Sequence, residues 1–216
     1  MGCLKNLIIG IVKKIVIVAL IIAFFAFGGW TFTKDKINSY QNPPKEEFLK
    51  TEKNYGDFTN TPADYQLKRN YNLFGYKKLT AKYLPTGQKI TIFDLKDEKK
   101  LSVEDFSSND IDKKIELFLN KTKDSVIRFE NFQLLEKGNY QAKNKNIPYV
   151  KFNAEVKNIP FKNVTGILGA YSTENIKNKK TSTKIIFTMT DTKAFNPVIL
   201  RDFATSIGFW ICKNHF

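Results

Sequence analysis

Alternation with a period of two dominates the middle of the chain. Over residues 147–157, Val150, Phe152, Ala154 and Val156 fall on one side, and Lys151, Asn153, Glu155 and Lys157 on the other. That pattern predicts a strand with one solvated face. Residues 77–84 and 89–95 alternate in the same way around Pro85-Thr86-Gly87-Gln88 and predict a hairpin. Residues 125–135 carry Ile127 and Phe129, then Phe132 and Leu134, and this phase change predicts a bulge near Glu130-Asn131. Residues 163–173 and 181–190 complete a four-stranded meander.

Spacings of three and four residues mark two helices. Ile111, Ile115, Phe118 and Leu119 form one stripe, with Ser108 or Asn109 as the cap. Asn196-Pro197 is a cap followed by proline at the first helical position, and Ile199 or Leu200, Phe203, Ile207 and Trp210 form the second stripe. Gly208 weakens or ends that helix. Residues 33–66 are polar and punctuated by Asn42-Pro43-Pro44, Gly56-Asp57 and Thr61-Pro62. They read as a stalk and lead-in with a short helix over 46–54, and the proline pair ends any helix arriving from upstream. The expected fold over residues 67–216 is α+β. Its antiparallel sheet consists of a hairpin plus a four-stranded meander, with one helix before the meander and another at the C-terminus.

This order of elements resembles the PsbP and Mog1 group of α-β-α sandwiches. The local likeness is Val164-Thr165-Gly166-Ile167, a polar turn, Lys184-Ile185-Ile186-Phe187-Thr188 and the helix over 196–207, within residues 77–211. The resemblance implies an accessory or binding role without catalysis and transfers no functional residue. An NTF2-like cone, as in membrane-anchored secretion-system assembly factors, is the alternative. Such cones close on strands, whereas this chain is expected to close on a helix.

Ahead of the domain lies the longest apolar run. Residues 15–32, IVIVALIIAFFAFGGWTF, are 18 residues without a charge. As a helix they cover about 27 Å, close to a hydrocarbon core. Lys5, Lys13 and Lys14 precede the run, and Trp30 near its far end suits the headgroup level. The pattern predicts a transmembrane anchor behind a short basic cytoplasmic segment, residues 1–14. Basic bias puts that segment inside and the domain outside the cell membrane. A signal peptide is the competing reading, with Ala26-Phe27-Gly28 as cleavage site and a domain secreted after Gly28. Met1-Gly2-Cys3 looks like an acylation start, but position six is Asn6 rather than Ser or Thr. Cys3 also precedes the apolar run, where a lipoprotein cysteine follows it. Cys3 and Cys212 then lie on opposite sides of the membrane, so no disulfide framework is expected.

Composition refines this picture. The chain has 216 residues, 42% hydrophobic and 14% aromatic, which excludes disorder of the whole and fits one domain of ordinary size. Lys+Arg number 35 against 21 Asp+Glu, a net charge of +14. Arginine occurs only as Arg69, Arg128 and Arg201. Lysine usage of this kind follows from an AT-rich coding sequence. Nucleic-acid readers rely on arginine, so nucleic acid is not the expected partner.

No catalytic, cofactor-binding or metal-binding set emerges from the residues. The chain contains no G-x-S-x-G, S-x-x-K, H-E-x-x-H, C-x-x-C or Walker pattern, and its one histidine is His215. Asp110 and Asp112 read as acids at a helix start, and Asp97-Glu98 and Glu104-Asp105 as solvated charge. Gly166 and Gly169 read as close-packing positions in a strand. Asn120-Lys-Thr122 and Asn163-Val-Thr165 have glycosylation-sequon spacing. Tyr40, Phe48, Tyr55, Phe58, Tyr65, Tyr71, Phe74, Tyr76 and Tyr83 form an aromatic run whose expected work is to pin the lead-in onto the sheet.

One surface feature remains. An up-and-down meander brings its first and third loops to one end. The expected loops are 137–146, with Lys137, Lys143 and Lys145, and 174–180, with Lys177, Lys179 and Lys180, countered there by Glu136 and Glu174. Solvated loop tips are one reading of this basic rim; the other is attraction to anionic lipid or wall polymer. The expected function is a membrane-tethered, extracytoplasmic binding or accessory module of the cell envelope, without catalysis or cofactor. The rivals are an envelope enzyme acting on wall or lipid material with carboxylates or lysines, and an assembly subunit that meets another envelope protein.

Overall fold

The computed structural model describes residues 29–70, 78–95, 101–120, 128–143, 145–157, 162–174 and 180–209. The chain divides into two compact units, residues 1–42 and 43–216. In the first, helix α1 (Gly29–Gln41) ends just ahead of Pro43-Pro44, as the proline pair dictates. Most of the expected membrane span, residues 15–28, lies outside the described residues. Among the described residues no helix is long and apolar enough to cross a membrane.

The second unit begins with α2 (Lys45–Thr51) and a 3-10 turn (Lys53–Tyr55). It continues through β1 (Tyr65–Asn70), β2 (Lys78–Tyr83), β3 (Lys89–Asp94) and a second 3-10 turn (Glu104–Ser107). Helix α3 (Ile111–Asn120) leads to β4 (Arg128–Ala142), β5 (Lys145–Lys157), β6 (Asn163–Glu174), β7 (Thr181–Asp191) and α4 (Pro197–Ser206). All strands belong to one antiparallel sheet in the order β1-β2-β3-β7-β6-β5-β4. The fold is α+β. Two meanders, β1–β3 and β4–β7, meet along the β3–β7 seam.

The sheet has seven strands where the sequence pattern predicts six; the additional strand, β1, straddles the expected boundary at residue 66. Its inward positions are Tyr65, Leu67 and Arg69, and an arginine in the third place breaks the apolar alternation. Arg69 is nonetheless buried. Its Nε reaches Glu52 at 2.7 Å, one terminal nitrogen reaches Glu47 at 3.2 Å, and the other donates to Thr51. The same fork docks α2 against β1. The lead-in from residue 43 onward is therefore part of the domain, with Phe48, Tyr55 and Phe58 all in its core.

Each sheet face buries its own apolar cluster, so helices are needed on both. On one face, α2, the first 3-10 turn and α4 cover Leu79, Ile90, Ile92, Ile167, Tyr171 and Ile186. Phe203 of α4 stacks on Phe58 at 6.1 Å and leans on Tyr65 at 5.4 Å, while the Tyr65 hydroxyl donates to the Ile199 carbonyl at 2.7 Å. On the other face, Ile111, Ile115 and Leu119 of α3 pack with Phe129, Val150, Phe152 and Ile185. Asn196 caps α4 by accepting from the Val198 N–H at 3.0 Å, with Pro197 at the first helical position. The helix stops at Ser206. Beyond it, Gly208 pairs with Asp57 through two backbone bonds of 2.7 and 2.8 Å.

The β4–β5 register shifts between Glu130 and Gln133, where Asn131 takes a positive φ of 49°. That is the bulge expected from the change of phase. The hairpin tip departs from expectation. Residues 137–142 form strand rather than loop, and only Lys143 and Asn144 separate β4 from β5. Tyr140 and Ala142 explain the extension, since both point into the core while their neighbours stay wet.

Gly166 of β6 lies between Phe152 of β5 and Met189 of β7 in the ladder. A Cβ there would lie 2.5 Å from Phe152 Cζ and 3.0 Å from the Thr188 carbonyl oxygen. Gly166→Ala is expected to destabilise the domain by about 1–3 kcal/mol through overpacking. Urea unfolding is the measurement, with Phe152→Leu in the same chain expected to recover part of the loss.

Candidate functional site

The most concentrated polar chemistry is inside the sheet, on the α4 face. Register places Lys184 of β7 directly between Asp94 of β3 and Tyr171 of β6. Lys184 is only 1% exposed, yet its Nζ lies 2.7 Å from Asp94 Oδ1 and donates to Ser182 Oγ at 2.7 Å. The ammonium also lies 5.2 Å from the centre of the Tyr55 ring. Tyr171 is wholly buried and donates its hydroxyl to the Tyr55 carbonyl at 2.8 Å, while Thr173 donates to the Asn54 carbonyl at 2.7 Å. Burial, then the neighbouring Tyr55 and Asp94, push the Tyr171 phenol well above its ordinary pKa.

This arrangement clamps the first 3-10 turn to three strands. A nucleophilic lysine needs a path to substrate, and Lys184 has carboxylate, hydroxyl and ring packed around its ammonium instead. A detectable sequence signal existed. Lys184 and Asp94 both occupy the apolar phase of their strands, alongside Ile186 and Ile92, and they carry opposite charges.

The rim lysines divide. Lys143 and Lys145 flank the β4–β5 tip, and Lys180 precedes β7 at the same end of the sheet. Lys177 and Lys179 lie outside the described residues. Lys137 stands within β4 opposite Val150, about 20 Å along the strand from the tip at 3.3 Å per residue. Its ammonium donates to the Ser108 carbonyl at 2.8 Å, which ties β4 to the start of α3. Lys145 donates to the Ser172 carbonyl at 2.6 Å and lies 5.4 Å from the centre of the Phe209 ring. Desolvation there lowers its pKa.

Other residues singled out from sequence have internal work. Asp105 accepts from the Ser102 N–H and pairs with Lys114 at 2.7 Å, while Asp110 lies 3.6 Å from the same ammonium. The Lys114 bond, followed by the Ser102 N–H, lowers the Asp105 pKa. Asp97 and Glu98 lie outside the described residues. Asn120 brackets the start of β4, donating to the Phe129 carbonyl and accepting from its N–H. The Thr165 hydroxyl, also buried, donates to Asn153 at 2.7 Å. Of the aromatic run, Phe48, Tyr55, Phe58 and Tyr65 are core, Tyr83 is half-buried and Tyr40 is exposed; Tyr71, Phe74 and Tyr76 lie outside the described residues. A shallow cleft of about 330 Å³ lies between α2 and the turn at Asp57, lined by Glu46, Leu49, Lys50, Lys53, Asp57 and Thr59. Its charges are balanced, and Asp57 Oδ1 is engaged by the N–H and hydroxyl of Thr59.

The fold and its polar groups thus define an α+β module built on one antiparallel sheet, with a buried lysine paired to a half-buried aspartate. No protein-family model matches the chain, and no curated protein matches it.

Removing one member of the interior pair exposes the other's cost. Asp94→Ala is expected to lose about 3–5 kcal/mol, because it leaves a buried ammonium without its counter-charge. Asp94→Ala combined with Lys184→Met should regain most of that loss. A double-mutant cycle by chemical denaturation reads the difference.

Proposed function

We propose that this protein is a membrane-tethered, extracytoplasmic module that binds at the cell envelope without catalysis. The observation that carries the reading is the 18-residue uncharged run over 15–32, set behind Lys13 and Lys14 and followed by a compact domain from Pro43. The saturated surroundings of Lys184 favour a binding role over a chemical one. Lys143, Lys145 and Lys180 at one end of the sheet supply the contact, and Lys177 and Lys179 belong to it by sequence position. Anionic lipid or an anionic wall polymer is its partner, each lysine adding at most about 1 kcal/mol near a charged surface.

Fractionation tests the tether. Full-length protein is expected in the membrane pellet after a high-salt wash, with its amino terminus at Met1 or Gly2 and a reporter after Phe216 active outside the cytoplasm. Soluble protein beginning at Gly29 would replace the anchor with a cleaved signal.

The rim has its own assay. Protein lacking residues 1–32 is expected to co-sediment with anionic vesicles at low salt and to leave them at high salt. Charge reversal at Lys143, Lys145, Lys179 and Lys180 should abolish that binding; wild-type binding by the reversed protein would reduce the rim to a solvated edge.

A further inference from the structure

Among the described residues, the face of the sheet that carries α3 is covered unevenly. Contacts of α3 and the second 3-10 turn fall mainly on β4 and β5. On β1, β2 and β3 the same face carries Lys68, Lys78, Lys82 and Lys89. The ladder sets Lys82 opposite Lys89, Lys68 opposite Thr80, and Lys78 opposite Phe93. No carboxylate of these three strands shares the face, since Asp94 points the other way, at Lys184. The Lys78 ammonium lies 5.3 Å from the centre of the Phe93 ring. Next along the face comes Phe187 of β7, opposite Thr91, with both it and Phe93 half-buried.

This grouping works against the sheet's own stability. Lys82 and Lys89 are direct cross-strand neighbours, with Cβ atoms about 5 Å apart, and like charges so placed are destabilising. Lys78 and Lys82 stand four positions apart on β2, about 13 Å at the usual rise. The charges are therefore spread in an arc across three strands instead of converging on one point. All four are lysines, which bind phosphate as point charges, whereas the arginine of these strands is turned to the opposite face and held by Glu47 and Glu52. Both rings pack against the apolar cluster of this face, where Phe187 stacks on Phe152 at 6.3 Å and Phe93 has Lys78 beside it. They form a floor for a thin chain and do not project as a wedge into hydrocarbon.

We propose that this face binds a linear polyanion made of phosphodiesters joined by short aliphatic links, a polyol phosphate. The lysines take successive phosphates while the links run over Phe93 and Phe187. The site is separate from the rim and does not depend on the tether.

The test uses full-length protein in neutral detergent and fluorescently labelled poly(glycerol phosphate), titrated by anisotropy from low to moderate salt. Four neutralised phosphates on a single-stranded polyanion give a log–log salt slope of about −2.8, at roughly −0.7 per contact. Lys68→Gln with Lys82→Gln should make the slope about 1.4 shallower and weaken binding at least tenfold at low salt. All four as glutamine should abolish binding, with a melting temperature no lower than wild type. All four as arginine should retain it. Phe93→Ala should weaken poly(glycerol phosphate) while leaving inorganic polyphosphate unaffected. The proposal is overturned if the folded glutamine variant keeps wild-type affinity and slope. It is equally overturned if the rim variant at Lys143, Lys145 and Lys180 loses the polymer while the face variant keeps it. Tighter binding of an oligonucleotide, an acidic peptide or anionic vesicles at equal charge would also reject it.

Discussion

Two backbone hydrogen bonds between Asp57 and Gly208 join the first and last described segments of the domain. They matter because the sheet is apolar on both faces and each face must be covered. The connection between β3 and β4 supplies the cover for one face. The other face is covered by two pieces remote in sequence, the lead-in and α4, which must meet over a shared cluster. Phe58 on Phe203, the Tyr65 hydroxyl on the Ile199 carbonyl and the Asp57–Gly208 pair are the places where they do. Gly56 serves this junction directly. It takes a φ of 137°, and a side chain there would lie 2.7 Å from Ile207 Cγ2.

Much of this architecture was legible in the sequence, for identifiable reasons. The α4 cap, the β2–β3 hairpin, the apolar phase of β5 and the bulge at Asn131 each follow from local residue chemistry. What escaped notice depends on partners far along the chain. Strand β1 was hidden because Arg69 occupies an inward position, and its burial makes sense only once Glu47 and Glu52 stand beside it. The β4–β5 tip looked like a loop because Lys-Gly-Asn and Asn-Lys-Asn are turn chemistry. Yet past a second register shift, between Leu134 and Glu136, Tyr140 and Ala142 alternate into the cluster on the α4 face, and β5 supplies the ladder. The Lys184–Asp94 pair was visible as two misplaced charges, but nothing local announced that they meet. The lysines of β1–β3 escaped for the same reason, since no single strand shows more than two of them.

The net charge of +14 does not say which cations face the surroundings, because several of them serve the fold itself. Lys184 and Arg69 are interior, Lys114 serves two carboxylates, and Lys137 and Lys145 each secure a backbone carbonyl. Lysine in this domain therefore does two kinds of work. Some side chains replace hydrophobic fasteners between elements, using long apolar stems to reach a distant oxygen. Others gather on one sheet face, where no acid of β1, β2 or β3 answers them.

The Arg69 fork also decides how the domain responds to mechanical load. Tension arriving along the chain at Pro43 reaches α2 first, and α2 is held to the edge strand by the ion pairs of Arg69 with Glu47 and Glu52. Behind that lies the pair of bonds at Asp57, then the aromatic packing of Phe58. A tug on the leading end is thus spread over ionic, backbone and apolar attachments, and of the seven-stranded ladder only the edge strand, through Arg69, shares the first load. The lead-in acts as a strain relief, and the sheet behind it can stay intact while its front end gives.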